Sequence, residues 1–205
     1  MTISELFLKG GPVVFILALY SVAALAILVE RLLAFAAMNN PPVDMADRLK
    51  KAADARRPVP ELTGPEGIVA NAALTALAEG ADPTIAAQRV GSEQMARMER
   101  GFRTLSFLGA TAPLLGLLGT VLGMIEAFMV IEAAGGKVDA QALAGGIWEA
   151  LLTTGVGLAV SLPTLMILHT LEGYAERRGA RMRRLASLVV ERAGARPLPE
   201  PDRGV

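Results

Sequence analysis

Apolar residues gather into three runs, and the polar residues left between them set the layout of the chain. The first run, Pro12 to Val29, carries no charge and is just long enough to cross a bilayer as a helix. It holds bulky aliphatics, Ala and one Ser, with neither Gly nor Thr, a composition at ease against lipid. The second and third runs, Thr104 to Ile131 and Gly145 to Leu168, are as long but crowded with Gly and Thr, and each holds a Glu near the short loop that joins them. Between the first and second runs, helical spacing of apolar residues predicts soluble helices. One covers Val43 to Ala55. Another opens at Pro65 and closes near Gly80, and a third is capped by Asp82 with Pro83 at its first position. Nothing from Pro83 to Thr111 clearly stops that last helix, so the pattern predicts one rod of roughly 70 Å running into the second span, kinked at Pro113. After the third run, Glu172 to Glu191 reads as an Arg-rich helical continuation with Leu185, Leu188 and Val189 on an inner stripe, followed by a Pro-rich tail expected to be disordered.

The predicted fold class is therefore an all-α membrane protein with three transmembrane helices and helical cytoplasmic extensions. The expected boundaries are an outer N-terminus at 1–11, spans at 12–36, 104–131 and 145–169, a helical cytoplasmic domain at 37–103, an outer loop at 132–144, and a cytoplasmic helix and tail at 170–205. A signal peptide is the competing reading of the first run, since Ala34-Phe35-Ala36 resembles a cleavage site. The run is too long for an h-region, and Glu30-Arg31 intervene. With 205 residues, 53% hydrophobic and 4% aromatic, the composition agrees with a membrane protein.

Charge orients the spans. Of 20 basic residues, only Lys9 and Lys137 lie on the side of the N-terminus and the short loop, whereas the other 18 lie from Arg31 to Arg103 or from Arg177 to Arg203. The positive-inside rule then puts the N-terminus outside and the C-terminus inside. Net charge is zero, and the Arg177–Arg184 cluster lacks aromatic interleaving, so a topology determinant touching the lipid bilayer is expected rather than nucleic-acid binding. The absence of Cys and the single His (His169) leave no basis for thiol chemistry or a metal cluster, and no cofactor is expected.

Within the inner pair of spans, Gly116, Thr120, Gly123 and Ala127 share one helical face, and Gly119 with Gly123 forms a GxxxG pair that lets backbones approach. Gly155 and Gly157 are expected to pack in the third span. Thr154 and Ser161 are seven residues apart and nearly eclipsed, defining a polar stripe, whereas Thr153 shares a face with Glu149. Glu149 and Thr154 are about 140° apart on a straight helix, so one regular helix cannot aim both into one channel. A carboxylate in lipid persists if it pairs, titrates or meets water. Alternatively, Glu126 and Glu149 sit at the outer interface, where Trp148 is a typical anchor. No Asp, Lys or Arg lies in the inner spans, so a complete proton relay is not visible in this chain.

GLLGTVLGMIEAF (Gly116 to Phe128) and GGIWEALLTTGVGLAVSLP (Gly145 to Pro163) resemble the paired motifs of the MotA/TolQ/ExbB proton-channel proteins, closest to ExbB. The resemblance covers both inner spans strongly and the remaining layout weakly. It implies a bacterial inner-membrane pentamer whose second and third spans line a pore around the single span of an ExbD- or TolR-like partner, whose Asp carries the proton. It implies pore roles for Glu149, Thr120 and Thr154, and coupling of the proton-motive force to a TonB- or TolA-like protein in outer-membrane transport. Ser161, Thr153 and Glu126 are further candidates for the path, Glu126 matching no functional position of the family. A TolQ-like role in envelope maintenance and a non-conducting helical scaffold are the alternatives. An enzyme is not expected, because Ser161 lies far along the span from Glu149 and His169 sits near its inner end.

Overall fold

A computed structural model describes residues 11–38, 40–59, 62–133 and 140–194. Among them are six helices and no strand: α1 (Gly11–Ala36), α2 (Met45–Asp54), α3 (Gly64–Ala78), α4 (Pro83–Met98), α5 (Phe102–Ala133) and α6 (Ala140–Arg192). Three stretches are long and apolar enough to cross a membrane: α1, the chain from Pro83 to Ala133, and the part of α6 from Leu143 onward. The expectations for residues 1–10, most of the outer loop and the tail from 195 lie outside the described residues.

Local chemistry sets the short helices. The Asp82 carboxylate accepts from the Thr84 N–H at 2.7 Å, so the expected N-cap forms, and Pro83 takes the first turn where no N–H is needed. Pro65 does the same for α3, which ends before Gly80 at φ +73°. The expected continuous rod is corrected. α4 stops at Met98 and α5 begins at Phe102, with Gly101 at φ +83°, a conformation that ends a right-handed helix and favours glycine. Arg31, buried, donates to the carbonyl of Arg97 at 3.0 Å, supplying one of the last α4 carbonyls with a cationic donor. Pro113, by contrast, does not interrupt α5.

The chain divides into two compact units. One comprises residues up to Glu30 and Gly101–Thr170, and the other comprises Arg31–Arg100 and residues from Leu171 onward. In the first, α1 buries Val13 and Leu17 against Ala112 of α5, with Tyr20, Leu115, Val156 and Val160 packed around them. Much of its remaining apolar surface is uncovered, including Phe107, Leu114, Leu118, Val121 and Ile125 on α5. A water-soluble protein rarely leaves that much aliphatic surface exposed, and lipid or further chains would cover it.

In the second unit α3 and the end of α6 are joined by a buried ion pair. Arg178 and Glu66 have fully buried side chains and meet twice, Nε to Oε1 at 2.9 Å and Nη2 to Oε2 at 2.6 Å. Arg178 also donates to the Tyr174 hydroxyl at 3.3 Å, and Tyr174 packs edge-on against Phe35 with ring centres 5.1 Å apart. Burial pulls the guanidinium pKa down, but the bonds from Glu66 and then Tyr174 outweigh it and hold the value above the ordinary one. The same end of α6 also buries Ala175, Met182, Ala186, Val189 and Val190. The expected inner stripe thus holds at Val189, while Leu185 and Leu188 sit half-buried beside it.

Candidate functional site: the α5–α6 hairpin

Two antiparallel helices approach here because small residues face each other along both. A methyl group added at Gly157 would stand 2.6 Å from the Ala112 carbonyl oxygen, and one at Gly116 would stand 2.9 Å from the Thr153 carbonyl and 3.0 Å from the Thr154 Cα. Gly119 faces the Thr153 side chain, and Gly123 faces Ala150. Gly116, Gly119, Gly123 and Gly157 thus each face the opposite helix across this seam. Gly155, by contrast, is exposed, and a methyl group added there would meet no described atom within 4 Å. Gly109, against Leu165, and Gly146, against Ala127, belong to the same seam and were missed. The hairpin register could have found them, since residues pair across it with a nearly constant sum of their numbers.

The hydroxyls of this seam have distinct tasks. Thr153 is buried and donates to its own helix at Ala150, with a longer contact of 3.2 Å to the Gly116 carbonyl across the seam. Ser161 is buried and donates to the Gly109 carbonyl at 2.6 Å. The sequence explains why that acceptor is available. Proline lacks an N–H, so Pro113 leaves the carbonyl four residues earlier without its helical donor, and that carbonyl is Gly109. Ser161 fills the gap. Thr120, half-buried, donates to Leu117 one turn back in its own helix. Thr154 differs from all of these, because its Oγ1 is buried and finds no partner among the described residues. The polar stripe read through Thr154 and Ser161 thus joins two hydroxyls with different surroundings, one engaged inside the hairpin and one without an acceptor among the described residues.

Both carboxylates line one cleft of about 490 Å³. Its walls are Gly119, Gly123 and Ile125 from α5, Ala150 and Thr153 from α6, and the start of α1 at Gly11, Pro12 and Val13. Glu126 is exposed and Glu149 half-buried, while neighbouring Trp148 is 58% exposed. The structure thus brings Glu126, Glu149 and Thr153 to one cleft, with Thr120 and Thr154 outside its lining. Among the described residues no cluster of His, Cys, Asp or Glu is arranged to hold a metal.

Three apolar helices, two of them closed on each other through glycines and backbone-directed hydroxyls, define a multi-pass helical membrane protein. Residues 63–184, more than half of the chain, match the model of the MotA/TolQ/ExbB proton channel family, and the chain belongs to that family. The chain is 37% identical over 97 residues to the biopolymer transport protein exbB1 of Vibrio cholerae, covering 47% of this chain and 42% of that protein. It is 42% identical over 89 residues to a putative ExbB-like biopolymer transport protein of Synechocystis, covering 42% and 35%. It is 30% identical over 169 residues to a putative ExbB homologue of Methanothermobacter thermautotrophicus, covering 78% and 60%. The matches thus span less than two-thirds of the length of each of these relatives.

Proposed function

We propose that this protein is an ExbB-like subunit of a proton-driven complex in the bacterial inner membrane, with its N-terminus outside and its C-terminus in the cytoplasm. Several copies, five by analogy with the family, surround the single span of an ExbD-like partner whose Asp carries the proton. The complex passes the work on to a TonB-like protein serving outer-membrane transport. Thr120, Thr154 and Glu149 face the path, and Glu126 stands at its outer end. Thr153 and Ser161 hold the wall together.

One observation carries the reading. Along a seam where Thr120, Thr153 and Ser161 find backbone carbonyls, Thr154 keeps a buried oxygen with no acceptor or donor among the described residues. A buried hydroxyl left so is costly unless a further group reaches it. The Asp of a partner helix, or water beside it, is such a group, and a hydroxyl that both donates and accepts can pass a proton between them. The names of the relatives favour the ExbB-like over the TolQ-like assignment.

The test is co-expression with the partner and reconstitution in vesicles carrying an internal pH dye. Thr154→Val and Glu149→Gln should each abolish proton flux while leaving membrane insertion and co-purification unchanged. Full flux in the double variant would overturn the proposal and leave the helical scaffold.

A further inference from the structure

The α5–α6 seam changes character along its length. Away from the loop that joins the two helices it is sealed. Ser161 bonds to the Gly109 carbonyl, Gly157 lies against the α5 backbone at Ala112 and Gly116, and Gly116 lies against Thr153 and Thr154. α1 closes the same stretch, burying Leu17 against Ala112 beside Leu115 and Val156. Toward the loop, the three helices leave the cleft of about 490 Å³ between them. Its α5 wall runs from Gly119 to Met129, about 15 Å along the helix and half the thickness of a hydrocarbon core.

The depth at which the cleft ends is informative. Gly119 and Thr153 are its innermost residues on α5 and α6. Each is followed in sequence by a threonine placed on the proton path, Thr120 and Thr154. The cleft therefore reaches the level of those hydroxyls from the loop side and goes no deeper. Its lining decides what fills it. Left dry, a space of this size forfeits the packing of the atoms around it. Lipid tails would restore that contact but leave Glu126 and Glu149 facing hydrocarbon, which acidic side chains within spans avoid. Gly11, where α1 begins, also lines the cleft, and N–H groups in the first turn of a helix have no acceptor within it. Water serves carboxylates and such N–H groups alike, and the space holds on the order of ten molecules at roughly 30 Å³ each.

We propose that this cleft is a water-filled entry channel, one in each subunit, through which protons from the outer side reach the level of Thr120 and Thr154. The inference rests on the reading of the chain as an ExbB-like subunit. α1 is the third wall, so the first span takes part in the path besides anchoring the subunit in lipid. Glu126 and Glu149, on two of the walls, raise the local concentration of cations. The angle between Glu149 and Thr154 then has a purpose, since one lines the way in and the other faces the partner's span.

The chain has no cysteine, so a single introduced thiol reports alone. The test uses the complex with its partner in right-side-out membrane vesicles holding a pH dye. A charged, membrane-impermeant methanethiosulfonate is added outside. Proton flux is read before and after labelling of the same sample, with the wild-type complex as the blank. At Leu122→Cys, inside the cleft, the reagent should attach and the flux should be lost. Val121→Cys and Phe128→Cys, exposed but outside the lining, should keep their flux, and Leu115→Cys, in the sealed half, should not react. Should Leu122→Cys conduct nothing before labelling, Ile125→Cys is read in its place. A thiol at Leu122 that stays unreacted would mean that lipid or the partner's span fills the cleft. Flux that survives complete labelling would mean that the water there leads nowhere. Either result overturns the inference and leaves the proposed function standing, as does reaction at Leu115→Cys. A wild-type complex that passes no protons removes the proposed function, and the inference with it.

Discussion

In the membrane unit α5 and α6 meet through what their side chains lack, whereas in the second unit α3 and α6 meet through two large charged side chains. The first contact lets the Gly157 Cα approach the α5 backbone at Ala112 and Gly116, and adds short hydroxyl bonds to carbonyls. The second brings Glu66 and Arg178 together beside Tyr174, on helices that bury an apolar shell including Val69, Ala175 and Met182. The difference follows from the solvent each unfolded contact would face. Separated helices in lipid lose no hydrophobic driving force, so close packing and backbone satisfaction have to hold them. In water the apolar shell supplies the association. The ion pair adds a geometric requirement to it, because a mismatched partner leaves a buried charge.

The comparison predicts unequal penalties. Glu66→Ala should have the largest effect, about 3–5 kcal/mol, because it leaves Arg178 buried without its counter-charge. Thermal unfolding of the detergent-solubilised protein would show it, and Glu66→Gln with Arg178→Met should recover most of the loss. No recovery would mean that the pair is more than a matched geometry. Gly157→Leu comes next. It forces the helices apart at Ala112, about 1–3 kcal/mol for overpacking, and should expose the hairpin to proteases. Ser161→Ala should cost about 0.6 kcal/mol, the average for a hydrogen bond between membrane helices. Repeating it in a Pro113→Ala background should shrink that loss, since alanine restores an N–H for Gly109. Additive losses would show that the serine serves something else.

The smallest effect is on pH dependence. Bonding by Arg48 holds the Asp44 carboxyl below its usual range. Its stabilisation is present above the unfolded value, about 3.9, and lost as pH falls through the depressed folded value. Asp44→Asn should therefore flatten only the acid end of a stability profile. Arg178 has the opposite sign. Its raised pKa makes a contribution that persists below the unfolded value and is lost only as strong alkali passes the folded one. A profile flat from pH 6 to 9 is expected from both groups.

Much of this arrangement was legible in local sequence. Asp82-Pro83, Pro65 and Gly80 punctuate helices by rules that need only near neighbours, and the glycine faces of α5 follow from helical period. The break at Gly101 was present as a glycine but looked like one of many, because only the backbone angle distinguishes a helix-ending glycine from a packing one. Glu66 and Arg178 lie 112 positions apart, and no periodicity links them. The stripe through Thr154 and Ser161 is an angle read from helical period, and angle alone does not say which hydroxyl a distant proline leaves an acceptor for.

That proline also has a consequence in time. Ser161 lies 52 residues after Gly109, so during synthesis the α5 carbonyl exists well before the hydroxyl that serves it. At about 5–20 residues per second the delay is roughly 3–10 s. Throughout that interval the half-made protein must keep Gly109 near water or the insertion machinery. Release of α5 into lipid is therefore expected to wait for α6, and the two spans to leave as a pair.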